Sequence, residues 1–232
     1  MKKMILLALA AASVAMFALP AVASAGTWHA LNAGAFTGHG GTSELTTTAG
    51  NRVHCTGVTL AGSYDTTTTG TLTLKFSTCV GPFNVHCQSA GAATGEIVTT
   101  TLPFHNVILD TTKVEEKDVH DPGVLITPGA NEHFATFVCF GITTVVKGNG
   151  ILGEITAPKC GESSTSATLS FARATSGGTP VAGHQKWTQV TTSGTTYGLN
   201  ASVGGGAASP ASMEGSGTVT FGNEVTMDCT TP

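Results

Sequence analysis

A repeated alternation of apolar and polar residues constrains the fold of this chain more than any other feature of its sequence. In the clearest case, residues 71–76, Leu72, Leu74 and Phe76 alternate with Thr or Lys. A period of two places the apolar side chains on one face of a β-strand. Similar runs, bounded by Gly, Pro or Asn, recur along the chain, and no sustained helical period follows residue 25. The pattern predicts an all-β fold, either an antiparallel β-sandwich or a barrel.

Threonine supplies most of the polar positions in these runs. The chain contains 40 Thr and 30 Gly, whereas charged residues make up only 10% of it. Thr is β-branched and favours strands, and its hydroxyl can face water without carrying a charge. Because apolar residues amount to 41%, disorder is not expected over most of the chain. The composition predicts a β-protein with a neutral, hydroxylated surface.

The first 25 residues have the organisation of a secretory signal peptide. Lys2-Lys3 precedes an apolar run over residues 4–19, and Ala23-Ser24-Ala25 supplies the small residues before a cleavage site. The alternative, an uncleaved anchor, would need about 20 apolar residues to span a bilayer. We therefore expect residues 1–25 to be removed and the mature chain to begin near Gly26. Because no second apolar segment follows, the mature protein is expected to be secreted, extracellular and free of the membrane.

An even number of cysteines in an exported chain predicts a disulfide framework. The one local pairing we predict is Cys79–Cys87, because Gly81-Pro82 lies between them and favours a turn. Zinc is the alternative, since His54-Cys55 and His86-Cys87 repeat one dipeptide. However, no C-x-x-C occurs, and adjacent residues of a strand point to opposite faces, so no metal or other cofactor is predicted. The six candidates for disulfide formation are Cys55, Cys79, Cys87, Cys139, Cys160 and Cys229.

Residues 26–232 are expected to form a single all-β domain with two loose segments. Glycine-rich residues 37–48 are predicted to be an irregular loop, and residues 203–216 a mobile loop. Residues 110–121 carry the densest charge in the chain. Their mixed signs indicate a solvated loop, with a calcium site as the alternative.

Several short motifs occur in order through the middle of the chain. They are Val53-His54-Cys55, Phe76-Ser77-Thr78-Cys79, Cys87-Gln88-Ser89, Gly95-Glu96-Ile97, Leu125 with Thr127-Pro128, and Phe134-Ala135-Thr136-Phe137-Val138-Cys139. In this order, over residues 52–171, the chain resembles a group of secreted Thr/Gly-rich proteins of high-GC Gram-positive bacteria. The resemblance implies export and a β-fold, and it implies no activity.

Known catalytic motifs are absent or stand in the wrong context. Residues 148–153 match G-x-G-x-x-G, but a strand is expected after them where dinucleotide binding needs a helix. No serine lies in a G-x-S-x-G frame, and Glu132-His133 is not part of an H-E-x-x-H motif. A formal net charge of −4 with only two arginines, Arg52 and Arg173, argues against nucleic acid and anionic membranes as partners.

One predicted strand, over residues 184–192, offers a binding face. A period of two places Gln185, Trp187 and Gln189 on the same side. An indole between two amides suits the stacking and hydrogen bonding of a sugar ring. Alternatively, Trp187 is a core residue and the glutamines lie at the margin of the sheet.

The leading hypothesis is therefore a secreted, non-catalytic binding module for carbohydrate or for a cell surface. The first alternative is a secreted hydrolase whose catalytic residues meet only in the fold. The second is a structural, self-associating exoprotein, because a charge-poor surface with unpaired strand edges suits association between copies. The sequence names no specific partner.

Overall fold

Antiparallel strands build nearly all of the molecule. The structure, a computed structural model, describes residues 26–114, 117–129, 132–190 and 194–229, so the predicted signal peptide at residues 1–25 lies outside the described residues. The predicted all-β fold with disulfides is confirmed. In the described part of the chain, no helix is both long enough and apolar enough to cross a membrane.

The described strands are numbered here in chain order. They are β1 (His29–Leu31), β2 (Ala35–Thr47), β3 (Arg52–Cys55), β4 (Gly57–Tyr64), β5 (Thr69–Ser77), β6 (Cys87–Gln88), β7 (Ile97–Val98), β8 (Leu102–Val114), β9 (Lys117–Ile126), β10 (His133–Cys139), β11 (Ile142–Gly148), β12 (Ile151–Ala157), β13 (Ser163–Phe171), β14 (Arg173–Ser176), β15 (Thr179–Gln185), β16 (Leu199–Val203) and β17 (Ser209–Asp228).

Eight strands form a closed ring of hydrogen-bonded neighbours, which we call the first ring. Their order is β2-β4-β5-β8-β9-β12-β13-β17, and β17 pairs back with β2. All of these pairings are antiparallel. The sequence pattern allowed either a sandwich or a barrel. Of these two arrangements, the first ring has the closed one.

Apolar side chains from every strand of the first ring fill its interior, as the period-two pattern requires. The ring of Phe104 lies edge-on to two others, with centroids 5.7 Å from Phe36 and 4.9 Å from Tyr64. Burial raises the pKa of the Tyr64 hydroxyl, which donates to Asn106 Oδ1 at 3.3 Å. Trp28 is also buried, and its Nε1 donates to the Gly123 carbonyl at 2.8 Å. The edge-to-face contacts of Phe104 with Phe36 and Tyr64 add to the stabilisation that burial alone provides.

A second, less regular ring shares β2 and β17 with the first. From β2 it continues through β3, through two isolated bridges at His54–Val80 and Val80–His86, and then through β6, β10, β11 and β16 back to β17. β14 and β15 pair separately, in a two-stranded sheet. The long strands β2 and β17 therefore form a common wall between the two rings.

Three disulfides account for all six cysteines: Cys55–Cys79, Cys87–Cys139 and Cys160–Cys229. The predicted Cys79–Cys87 pairing is wrong. The two residues do face each other across a turn, since the Cys87 amide donates to the Cys79 carbonyl at 2.9 Å. However, Cys87 lies directly opposite Cys139 in the pairing of β6 with β10, and that neighbour takes its sulfur. The disulfides are consistent with an oxidising, extracellular compartment.

The predicted loop at residues 37–48 is wrong, because most of this segment belongs to β2. Its glycines mark a close approach of backbones. A Cβ on Gly38 would lie 2.7 Å from the Thr218 carbonyl oxygen, and one on Gly40 would lie 2.5 Å from the Ser216 carbonyl oxygen. Glycine inside a strand commonly has this meaning, and here it lets β17 pack against β2.

Two further loop predictions are wrong in part. Within residues 203–216, only residues 204–208 connect strands, and Ser209 begins β17. The charged segment at residues 110–121 belongs to the hairpin of β8 and β9, apart from residues 115–116, which lie outside the described residues. No group of three or more Asp, Glu, His or Cys residues in the described part of the chain could hold a metal ion.

Candidate functional site

The structure does not bring the predicted platform residues onto one face. β15 ends at Gln185, so the predicted strand over residues 184–192 is wrong for residues 186–190, and residues 191–192 lie outside the described residues. Gln185 is only 8% exposed, and its amide donates to the Met213 carbonyl at 2.9 Å and accepts from the Met213 amide at 3.0 Å. Its hydrogen-bonding groups are therefore used within the fold.

Trp187 lies half-buried against a small apolar cluster that includes Leu109. Its Nε1 donates to Glu154 Oε2 at 3.2 Å, and the Lys186 ammonium lies 4.8 Å from its ring centroid. The bond from Lys186 holds the pKa of Glu154 below its usual value. Gln189 is exposed and donates to Thr196 Oγ1 at 3.2 Å. Sugar binding by these residues stays a prediction. Of the three, Trp187 is partly accessible and Gln189 is exposed.

Both arginines of the chain converge on one carboxylate, at the boundary between the rings. Arg52 Nε donates to Glu44 at 2.5 Å, and Arg173 lies 3.3 Å from the other oxygen of Glu44. Arg173 also bonds Glu214 at 2.5 Å. A polar pocket of about 350 Å³ is lined by Glu44, Arg173 and Glu214, together with His54. Because the charges are paired with one another, the cluster ties strands together and presents no free charge to a ligand.

A larger apolar cavity opens at the end of the second ring, and we call it the cup. It measures about 390 Å³, and its lining comes from β2, β3, β10, β11, β16 and the segment between β5 and β6. Leu45 and Val53 line it on one side, and Ala201 and Val203 line it on another. Residues adjoining four chain turns, at 48–51, 81–85, 140–141 and 204–208, thus surround one opening.

Three exposed apolar side chains stand at this opening. Phe83 is 98% exposed, Phe140 is 82% exposed and Ile142 is 47% exposed. Two of the three are aromatic, and side chains of this size are usually buried at least in part. When several of them surround one cavity, the surface indicates a binding site.

The backbone holds both phenylalanines in the left-handed region, with φ of 61° at Phe83 and 52° at Phe140. Phe140 and Gly141 are the two central residues of the hairpin turn between β10 and β11, and both have positive φ. Such a turn favours Asn-Gly, and a bulky residue there costs about 1–2 kcal/mol. A phenylalanine in a turn position that favours Asn is a local signal in the sequence for this site, and none of the predictions above rests on it.

The Cys87–Cys139 disulfide lies beneath both aromatic turns. Phe140 directly follows Cys139, and a Cβ on Gly81 would lie 3.1 Å from Cys87 Sγ and 3.4 Å from Cys139 Sγ. The segment that carries Phe83 therefore packs on the same covalent link that holds the Phe140 turn. This link fixes the two sides of the opening relative to each other.

The lining of the cup offers little to a polar ligand. Arg52 is its one charged residue among the described residues, and Glu44 binds the guanidinium. The Thr47 hydroxyl accepts from the Asn51 amide at 3.0 Å. Among the described residues, the lining includes the hydroxyls of Thr47 and Thr144 but no His, Asp or Glu that could act on them as a general base. Its chemistry is that of apolar binding.

The resemblance to secreted Thr/Gly-rich bacterial proteins stays a prediction, because nothing found by comparison bears on it. Compared with models of protein families, with curated proteins and with solved structures, the chain matches none.

Proposed function

We propose that the protein is a secreted, non-catalytic binding domain and that the cup is its binding site for an apolar ligand. The observation that carries this proposal is an open apolar cavity whose mouth displays Phe83 and Phe140. Its volume of about 390 Å³ falls within the range of small-molecule sites in proteins. A disulfide between the two aromatic turns keeps the opening in place before a ligand arrives.

The energetics favour a ligand that covers the rim. An exposed phenylalanine contributes little to folding, whereas full burial of one contributes about 1.5–3 kcal/mol. Phe83 and Phe140 would release this free energy only on binding, and both occupy turns whose backbone they strain. Strained residues that gain nothing from the fold commonly belong to functional sites.

The same features rank the alternatives. A carbohydrate needs hydrogen-bonding partners, which the cup offers poorly, and the amide of Gln185 is already bonded to Met213. A hydrolase needs a base beside its nucleophile, and the described lining of the cup has no His, Asp or Glu for that role. Association between copies through Phe83 and Phe140 would occupy the same opening, and it is therefore an outcome of the test below.

The test is a titration with Nile red, an uncharged fluorescent probe of apolar sites. We expect saturable binding by the wild type and a Kd raised at least about tenfold by the double substitution Phe83→Ala with Phe140→Ala, because each tenfold step corresponds to about 1.4 kcal/mol. Val119→Ala is the matched control, since Val119 is an exposed apolar residue on the β8–β9 hairpin.

Equal affinity in the wild type and the double variant would refute the proposal. Size-exclusion chromatography with light scattering, run on the same samples, separates the remaining alternative. A wild-type dimer that the double substitution converts to a monomer, without probe binding in either state, would assign the opening to self-association instead.

A further inference from the structure

Three smaller apolar spaces lie in a row behind the cup. They measure about 80, 50 and 40 Å³. The first is enclosed mainly by the second ring, the next lies beside the common wall of β2 and β17, and the last lies among the aromatic residues of the first ring. The cup is thus one end of a series of spaces that extends from the second ring into the first.

Neighbouring spaces in this row share wall residues. Leu45 and Val53 line both the cup and the 80 Å³ space. Leu74 and Met213 are among the residues common to the 80 and 50 Å³ spaces. The 50 and 40 Å³ spaces have three residues in common, Leu60, Leu72 and Leu169. Single layers of side chains therefore separate each space from the next.

The partition nearest the opening is a cross-strand pair. Leu45 of β2 lies directly opposite Val53 of β3, so their side chains stand together on one face of the sheet. Both are only partly buried, and both pack against the main core. The next residue in β2, Thr46, points elsewhere and bonds the Ser212 hydroxyl at 3.1 Å. The side chains of Leu45 and Val53 thus form the shared wall between the cup and the 80 Å³ space, and we call this wall the partition.

On the basis of the proposed function, we infer that the ligand is an unbranched alkyl chain with an uncharged head and that Leu45 and Val53 set the length of chain the cup accepts. Only Leu45 and Val53 separate the cup from the 80 Å³ space, and a partition of two side chains matches the narrow end of a linear chain better than a branched chain or a ring system. The tail points towards the partition, and the head stays at the mouth beside Phe83 and Phe140. A charged head would find no free counter-charge in the cup, because Arg52 is bound to Glu44.

The test measures binding of a series of primary n-alkanols of increasing length, by displacement of Nile red. For the wild type we expect affinity to rise about fourfold for each methylene until the chain reaches the partition, and then to level off. Val53→Ala opens the partition and moves this plateau to longer alkanols. Val53→Leu thickens it and moves the plateau to shorter ones, and Leu45→Ala provides an independent variant should Val53→Ala fold poorly.

Ile142→Ala is the matched control, because Ile142 lies at the mouth and not at the partition. It should weaken all alkanols by the same factor and leave the plateau unmoved. If the affinity of every folded partition variant levels off at the same alkanol length as in the wild type, the inference is overturned while the binding function stays intact. Equal affinity for linear and branched alkanols with the same number of carbons would have the same meaning. Failure of the wild type to bind Nile red or any alkanol saturably would refute the proposed function itself.

Discussion

The two rings share a wall of β2 and β17, yet they are stabilised in different ways. The first ring has continuous antiparallel ladders and an interior filled by aromatic and aliphatic side chains. The second ring relies on isolated bridges at Val80 and on two of the three disulfides. Among the described residues with positive φ other than glycine, five of six lie in segments that build the second ring: Thr78, Phe83, Asn84, Glu132 and Phe140.

This difference shows how one small domain can combine stability with an open cavity. A densely packed interior stabilises the first ring and leaves only spaces of about 50 and 40 Å³, compared with about 390 Å³ in the cup. In the second ring, covalent links can take over part of that role, since a disulfide stabilises by restricting the unfolded chain and does not require a filled interior. Strained turns and unfilled space can then be tolerated, and in the proposed function they serve binding.

The largest effect on stability should come from the interior of the first ring. Phe104→Ala removes a ring that contacts both Phe36 and Tyr64. We expect a loss of about 3–5 kcal/mol in the free energy of unfolding, because a large cavity is left in a packed core. Urea unfolding measures this loss, and the Kd for Nile red should not change in the folded variant. Phe140→Ala is the control, with a change in stability of about 0.5 kcal/mol or less. A large change in affinity for Phe104→Ala would show that the rings are not separable in this way.

Removal of a disulfide should distinguish the rings more sharply. The double substitution of Cys87 and Cys139 by Ala opens a link spanning 52 residues and should cost about 2–4 kcal/mol in the free energy of unfolding. It should also raise the Kd for Nile red at least about tenfold, since both aromatic turns rest on this link. The matched control is Cys160→Ala with Cys229→Ala, which opens a link of 69 residues at β17, away from the cup. Comparable losses of affinity in both double variants would contradict the assignment of the cup to one disulfide.

A smaller, pH-dependent effect should arise from His105 in β8 of the first ring. Burial lowers the pKa of its imidazole below the usual 6.5, so the unfolded chain binds a proton more readily than the folded one. The resulting stability is fully present above about pH 6.5 and is lost as the pH falls through that value. His105→Gln should reduce the slope of unfolding free energy against pH in this range. An unaltered slope in the His105 variant would assign the acid sensitivity elsewhere.

The sequence pattern was sufficient for the fold class but not for the pairings. The alternation at residues 71–76 correctly predicts a strand, because the period of two reflects one filled interior. In contrast, the glycines of β2 resemble a loop until β17 lies beside them, and the sulfur of Cys87 has a closer partner in Cys139 than any local spacing reveals. Both depend on contacts between distant parts of the chain, which local patterns do not encode.

The candidate site was harder to predict for the same reason. Leu45 and Val53 follow the alternation that any core residue follows, and nothing near them indicates that their inner face borders an open cavity. The cup forms only when turns from four distant parts of the chain surround one opening. Phe140 was the exception, since a phenylalanine before glycine in a two-residue hairpin turn is a local signal.

The shared strand β17 has a consequence for the order of events in folding. It pairs with β16, β2, β13 and β1, and one of its contacts, Ser212 with Thr46, spans 166 residues. Neither ring can close until residues 209–228 are in place, so both closures wait for one late, long-range step, and topologies of this kind fold slowly. Until then the edges of β2 and β13 lack their partner, and the nascent molecule presents open strand edges to its neighbours. These edges are therefore exposed longest at the stage just before the last strand, β17, pairs with them.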